Sequence, residues 1–144
     1  MNEIMINILD VIHQHHIIII VAGFVCADTV FGCFRAIKQH KFNSSFGIDG
    51  AIRKITMLLS LVFLVILDTA VHINLVSFVP KDVLAVIGME NIGTTEFFGL
   101  LYVSYELVSI LKNLTLCGLP TKALEKKVRD FLGKYTDELP DVEG

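Results

Sequence analysis

The sequence predicts an all-α integral membrane protein: three transmembrane helices plus a C-terminal amphipathic helix, with the N-terminus out and the C-terminus in. Three observations predict it. Hydrophobic types make up 53% of the 144 residues and charged types only 19%, where a soluble domain carries about 25% charged residues. Three apolar runs approach or exceed the roughly 20 residues that a spanning helix needs. The basic residues are sorted to the segments that would lie on one side of a bilayer. The same composition excludes a disordered chain, and a formal net charge of -3 gives no basic excess for nucleic acid.

The first apolar run is Ile17 to Phe34, interrupted only by Asp28. Upstream, Ile4, Ile8 and Val11 or Ile12 continue an apolar helical face, so the span is set at about 13–34, with His13, His15 and His16 near an interface. Met1 to Asp10 has no positive leader and carries Glu3 and Asp10, which argues against a secretory signal. A basic connector, 35–54, follows and holds Arg35, Lys38, Lys41, Arg53 and Lys54 against one acid, Asp49. Within it, Asn43-Ser44-Ser45 is an N-cap signal, since a short polar side chain can accept from a free helix N–H.

The second span, about 55–79, runs from Ile55 to Val79 with Asp68 inside it, and Pro80 is the expected stop. Lys81 to Gly93 is too mixed to cross and reads as a loop or interfacial segment. The third span, about 94–117, is the least apolar, carries Glu96, Glu106 and Lys112, and ends at Gly118-Leu119-Pro120. Residues 1–120 thus form the membrane domain and 121–144 a cytoplasmic amphipathic helix and acidic tail. On that helix Leu124, Val128, Phe131, Leu132 and Tyr135 share one face, while Lys122, Lys126, Lys127, Arg129 and Lys134 lie mainly elsewhere. Basic flanks stay on the cytoplasmic side. The connector and the region after Gly118 each hold five basic residues, and the two spans between them bring both to that side.

Each span contains a carboxylate: Asp28, Asp68 and Glu106. At membrane depth such a group costs about 2.5–3.5 kcal/mol on insertion scales. These acids therefore line water, a pore or a subunit interface, or lock the helices together by hydrogen bonding. The third span has the best-defined polar face. Thr95, Gly99, Tyr102, Glu106, Ser109 and Asn113 recur in steps of three and four, which makes one helical stripe, suited to packing or to a water path. Asp28, Gly32 and Arg35 share a face of the first span, and Asp68 and His72 are four apart. The stripe residues with Asp28 and Asp68 are the candidate pore-lining or intersubunit set (Asp28, Asp68, Tyr102, Glu106, Ser109, Asn113). The basic set Arg35, Lys38, Lys41, Arg53 and Lys54 is assigned to the membrane surface.

No catalytic constellation is visible, because the Asp68–His72 pair has no nucleophile or oxyanion donors beside it. The cluster His13, Gln14, His15 and His16 places adjacent histidines on different helix faces and reads as an interfacial anchor. Cys26, Cys33 and Cys117 lack acids or histidines at ligand spacing and read as packing residues. Neither a metal nor a cofactor is expected.

One resemblance covers most of the chain, from about Asp28 to Leu132. Asp28-x-x-x-Gly32, Arg35-Ala36, Lys38, Lys41-Phe42-Asn43-Ser44-Ser45, Gly47, Gly50 and Arg53-Lys54 resemble the signature of the phage lysis and toxin-secretion holin family. Tyr105-Glu106-x-x-Ser109-Ile110-Leu111-x-Asn113 is similar to that family's third span, and Gly118-Leu119-Pro120 to the turn after it. The sequence departs at Tyr105, where Asn is common, and at Lys112, where an acid is common. The resemblance implies a non-enzymatic pore former in the inner membrane of a host bacterium. It further implies self-association into a homo-oligomer, holes that release endolysin or a secreted toxin, a possible antiholin, and no cofactor.

Two other readings fit the composition. A small ion- or proton-coupled transporter would use one acid per span as a relay, although repeats and broken helices around a midplane site are not apparent. A structural membrane subunit would use the stripe only to bind a partner.

Overall fold

The protein is described by a computed structural model covering residues 16–40, 44–71, 73–75, 77 and 92–134. Among these residues there are four helices: α1 His16–Gln39, α2 Ser44–Val71, α3 Thr94–Leu116 and α4 Lys122–Leu132. The first three are long and apolar enough to cross a membrane. The protein is therefore an all-helical, multi-pass membrane protein with a C-terminal helix.

α2 differs from the expected 55–79 at both ends. It starts at Ser44, on the N-cap signal itself, because hydropathy marks only the apolar part of a helix and not its polar first turns. The connector 35–54 is therefore mostly helix. α1 runs on through Gln39 and carries Arg35 and Lys38 on its last turns, and α2 carries Arg53 and Lys54. α1 closes at His40, which adopts the left-handed conformation (φ 51°), as C-terminal cap residues often do. At its far end α2 stops at Val71, and residues 73–75 are not helical. There Leu75 N–H donates to Ile92 O at 2.8 Å, so the chain turns soon after Asp68, whose carboxylate holds the start of α3. The expected stop at Pro80 and the segment from Lys81 to Glu90 lie outside the described residues, as do His13, Gln14, His15 and His72.

The three long helices run up, down and up. Ile17 meets Gly99 near the starts of α1 and α3, and Lys38 donates to the Cys117 carbonyl at their ends, so α1 and α3 are parallel. α2 is antiparallel to both, with Asp68 at the start of α3 and Lys54 level with Glu106. Ile17, Val21, Val25 and Leu61 form the core, with Leu58, Leu64, Tyr102 and Val103 packed on it. A Cβ at Gly99 would overlap Ile17 Cγ1, so glycine is what lets α1 and α3 approach closely here.

The outer surface is apolar. Ile19, Ile20, Val30, Phe34, Ile55, Leu59, Phe63, Ile66, Phe97 and Leu100 are all exposed. Lipid satisfies such a surface, whereas water would not. Three hydroxyls on the outer sides of the spans are satisfied by their own helix: Thr29, Thr69 and Ser104 donate to the carbonyl four residues back at 2.7–2.8 Å.

Candidate functional site

Each long helix presents one continuous stripe inward. On α1 it is Ile17, Val21, Val25 and Asp28, and on α2 it is Met57, Leu61, Val65 and Asp68, with Lys54 one turn earlier. On α3 it is the polar series Thr95, Gly99, Glu106 and Asn113, all buried, with Tyr102 and Ser109 half-buried between them. The regular stripe seen in the sequence is thus the interior face of α3.

The stripes meet in a charged network. The Lys54 ammonium lies 2.7 Å from Asp28 Oδ2 and 2.6 Å from Glu106 Oε2. Asn113 Nδ2 donates to the other Asp28 oxygen at 2.8 Å. Asp28 and Glu106 are nearly fully buried, at 6% and 1% exposure. Lys54 thus joins acids from two neighbouring helices, and Asn113 holds Asp28 in place. The network lies well inside the bundle: at 1.5 Å per residue, Glu106 is ~15 Å from the end of α3. A buried charge at this depth is tolerated only when paired and hydrogen-bonded. Among the three ionisable groups, two acids share one base.

One layer away, Ser60 Oγ and Tyr102 OH lie 2.7 Å apart, tying α2 to α3. Asp68 does different work at the opposite end of the bundle. Its carboxylate accepts from Thr94 N–H at 3.1 Å, from the Thr94 hydroxyl, and from Thr95 N–H at 2.7 Å. It caps α3 from another helix and places an anion at that helix's positive end. Gly93 N–H is taken by Glu96 Oε2 at 3.0 Å. A Cβ at Gly93 would lie 2.8 Å from Asp68 Oδ2, so the close approach of that carboxylate requires glycine.

The residues assigned to the membrane surface divide. Lys38 reaches the Cys117 carbonyl and completes the C-terminus of α3. Arg53 sits 5.0 Å from the Tyr105 ring centre in a cation–π contact, so the residue that departs from the family pattern gives Arg53 its support. Arg35 is half-buried on α1, and Lys41 lies outside the described residues. Lys54 is corrected outright: it belongs to the interior network and not to a surface connector. Its signal was its spacing from Met57, Leu61, Val65 and Asp68, hidden because the hydropathic run begins one residue later. Sequence reasoning also missed Ser60 and the Thr94–Thr95 amides. Among the described residues no group of three His, Cys, Asp or Glu side chains is placed to hold a metal ion.

This is a small multi-pass membrane protein whose long helices bury a charged network between them and turn an apolar surface outward. The chain matches the bacteriophage holin family over residues 8–133 and belongs to it. It is 43% identical over 127 residues to the holin-like protein TcdE of Clostridioides difficile, an alignment covering 88% of this chain and 76% of that one. No solved structure matches it.

Proposed function

We propose that the chain is a holin-like pore former that oligomerises in the bacterial cytoplasmic membrane and opens holes releasing endolysin or toxin, without enzymatic activity. Family membership supports this reading. The structural observation that carries it is the Asp28–Lys54–Glu106–Asn113 network inside a bundle with an apolar outside. A protein meant only to stay folded in lipid gains little from burying three ionisable groups, because an apolar core of the same volume is often as stable. The groups are useful if they later meet water.

In the dispersed chain, Asp28 and Glu106 share Lys54 within one bundle. Crowding brings subunits together, and the α3 stripe turns from the bundle interior to a shared lumen. There Tyr102, Glu106, Ser109 and Asn113 face water, and hydration replaces the contacts that they give up. The end of the bundle bearing Arg35 and Lys38, where the chain leaves α3 for α4, faces the cytoplasm, in keeping with the basic-flank rule. Expression alone in a bacterium tests the reading. The expected result is normal growth, then abrupt loss of membrane potential, with cytosolic protein released only when an endolysin is co-expressed. Solute-dependent flux without a sudden collapse would point to a transporter, and no effect at all to a structural subunit.

A further inference from the structure

α4 is folded back along α3. The turn that reverses the chain contains Gly118 in the left-handed region (φ 92°), followed by exposed Leu119 and Pro120. Glu125 is buried at 7% exposure and accepts from Thr115 Oγ1 at 3.0 Å. Thr115 Oγ1 also lies 2.8 Å from Thr121 Oγ1, and Arg129 lies 3.9 Å from Glu125. Beyond this polar clasp the fit is loose: a groove of about 360 Å³ runs between Ser104 and Leu107 of α3 and Val128, Phe131 and Leu132 of α4.

The fold-back puts α4 at an awkward height. Its last turn is level with Ser104 and Leu107, and at 1.5 Å per residue Ser104 is ~18 Å from the end of α3. The lipid-facing apolar surface reaches at least to the Cys117 level, because Phe34 and Ile37 are exposed on the turns around Lys38, which bonds Cys117. Exposed Lys126, Lys127 and Asp130 therefore lie at the height of hydrocarbon. Charges are strongly disfavoured there. An amphipathic helix of this kind is suited to lie in the interface, its apolar face down and its bases among headgroups.

We propose that α4 is a releasable strap. Folded back, it covers the Ser104–Leu107–Thr115 face of α3. In a bilayer it swings out about Gly118–Pro120 onto the membrane surface and frees that face for a second copy of the chain. The release step stands on the geometry of α4, and its link to assembly rests on the pore-forming reading above.

The test uses the full chain carrying Cys26→Ser, Cys33→Ser and Cys117→Ser, with Leu107→Cys and Leu132→Cys across the groove. In detergent, mild oxidation is expected to form the intramolecular disulfide in high yield. After transfer to vesicles of phosphatidylethanolamine and phosphatidylglycerol, the yield is expected to fall at least tenfold. Equal yields in the two settings, or no disulfide in either, would overturn the strap. In a second arm the disulfide is formed in detergent before reconstitution, and release of an entrapped dye is followed. At least tenfold slower release, restored by reductant, is expected, and equal release with and without reductant would overturn the link to assembly. Failure to release dye even after reduction would count against pore formation itself, while the cross-linking yields still decide the strap.

Discussion

Lys54 lies 2.6 Å from Glu106 across the α2–α3 contact, and the same ammonium reaches Asp28 on α1 at 2.7 Å. One cation therefore links all three spanning helices. Removing it leaves two nearly fully buried acids side by side. Lys54→Met is expected to destabilise the bundle by about 3–5 kcal/mol, the usual cost of breaking a buried ion pair from one side. Adding Asp28→Asn and Glu106→Gln to Lys54→Met is expected to recover most of that loss. Unfolding of the purified protein in detergent measures both, and a triple variant no more stable than Lys54→Met would show that the charges are not coupled.

Glu106 has a second expected role, in the lumen. Glu106→Gln keeps a polar group on the α3 stripe, whereas Glu106→Leu removes it. Timed induction is expected to give lysis for the glutamine variant and delayed or absent lysis for the leucine variant. Lysis by the leucine variant on the parent schedule would take Glu106 out of the hole.

Asp68 should act on folding alone. Asp68→Ala removes the acceptor for the Thr94 and Thr95 amides, and loss of a cap costs about 1–2 kcal/mol. Asp68→Asn retains an acceptor oxygen and is expected to cost less. Hydrogen exchange in the first turn of α3 should rise sharply in Asp68→Ala and little in Asp68→Asn.

Gly99 sets the approach of α1 and α3. Gly99→Ala forces a Cβ into Ile17, and overpacking of this kind costs about 1–3 kcal/mol. Combining it with Ile17→Ala makes room at the same point. The pair is expected to cost less than the sum of the two single losses, and simple additivity would show that the two side chains do not share that space.

Orientation is testable at the two ends of α2 and α1. In a chain without its own cysteines, Gln39→Cys is expected to resist a membrane-impermeant maleimide applied to intact cells before lysis, and Val71→Cys to react. The reverse pattern would invert the bundle.

The sequence makes the fold legible to a considerable extent. The apolar runs around Ile17–Phe34 and Ile55–Leu67, and the heptad-like recurrence of Thr95, Gly99, Tyr102, Glu106 and Asn113, each correspond to a helix or an interior face. Helix ends were less legible, since Ser44 to Lys54 is helical without being apolar, and α2 ends at Val71, soon after its Asp68 caps the start of α3, a tertiary contact that hydropathy cannot register. The charged network was half legible. Costly burial pointed to Asp28 and Glu106, but their shared partner lay at the polar edge of a run, where a lysine reads as a surface anchor. The different task of Asp68 depends on where the chain returns after α2, which periodicity within one helix does not encode.

In the proposed hole the α3 stripe turns from the bundle interior to a water-filled lumen. Single cysteines at Ser109 on the stripe and at Leu100 on the exposed apolar face of α3 test it most directly. Reaction with a hydrophilic maleimide is followed before and after the membrane potential collapses. Ser109→Cys is expected to be protected before collapse and to react at least tenfold faster after it, with Leu100→Cys unreactive throughout. Reaction at Leu100→Cys after collapse, with Ser109→Cys still protected, would contradict it.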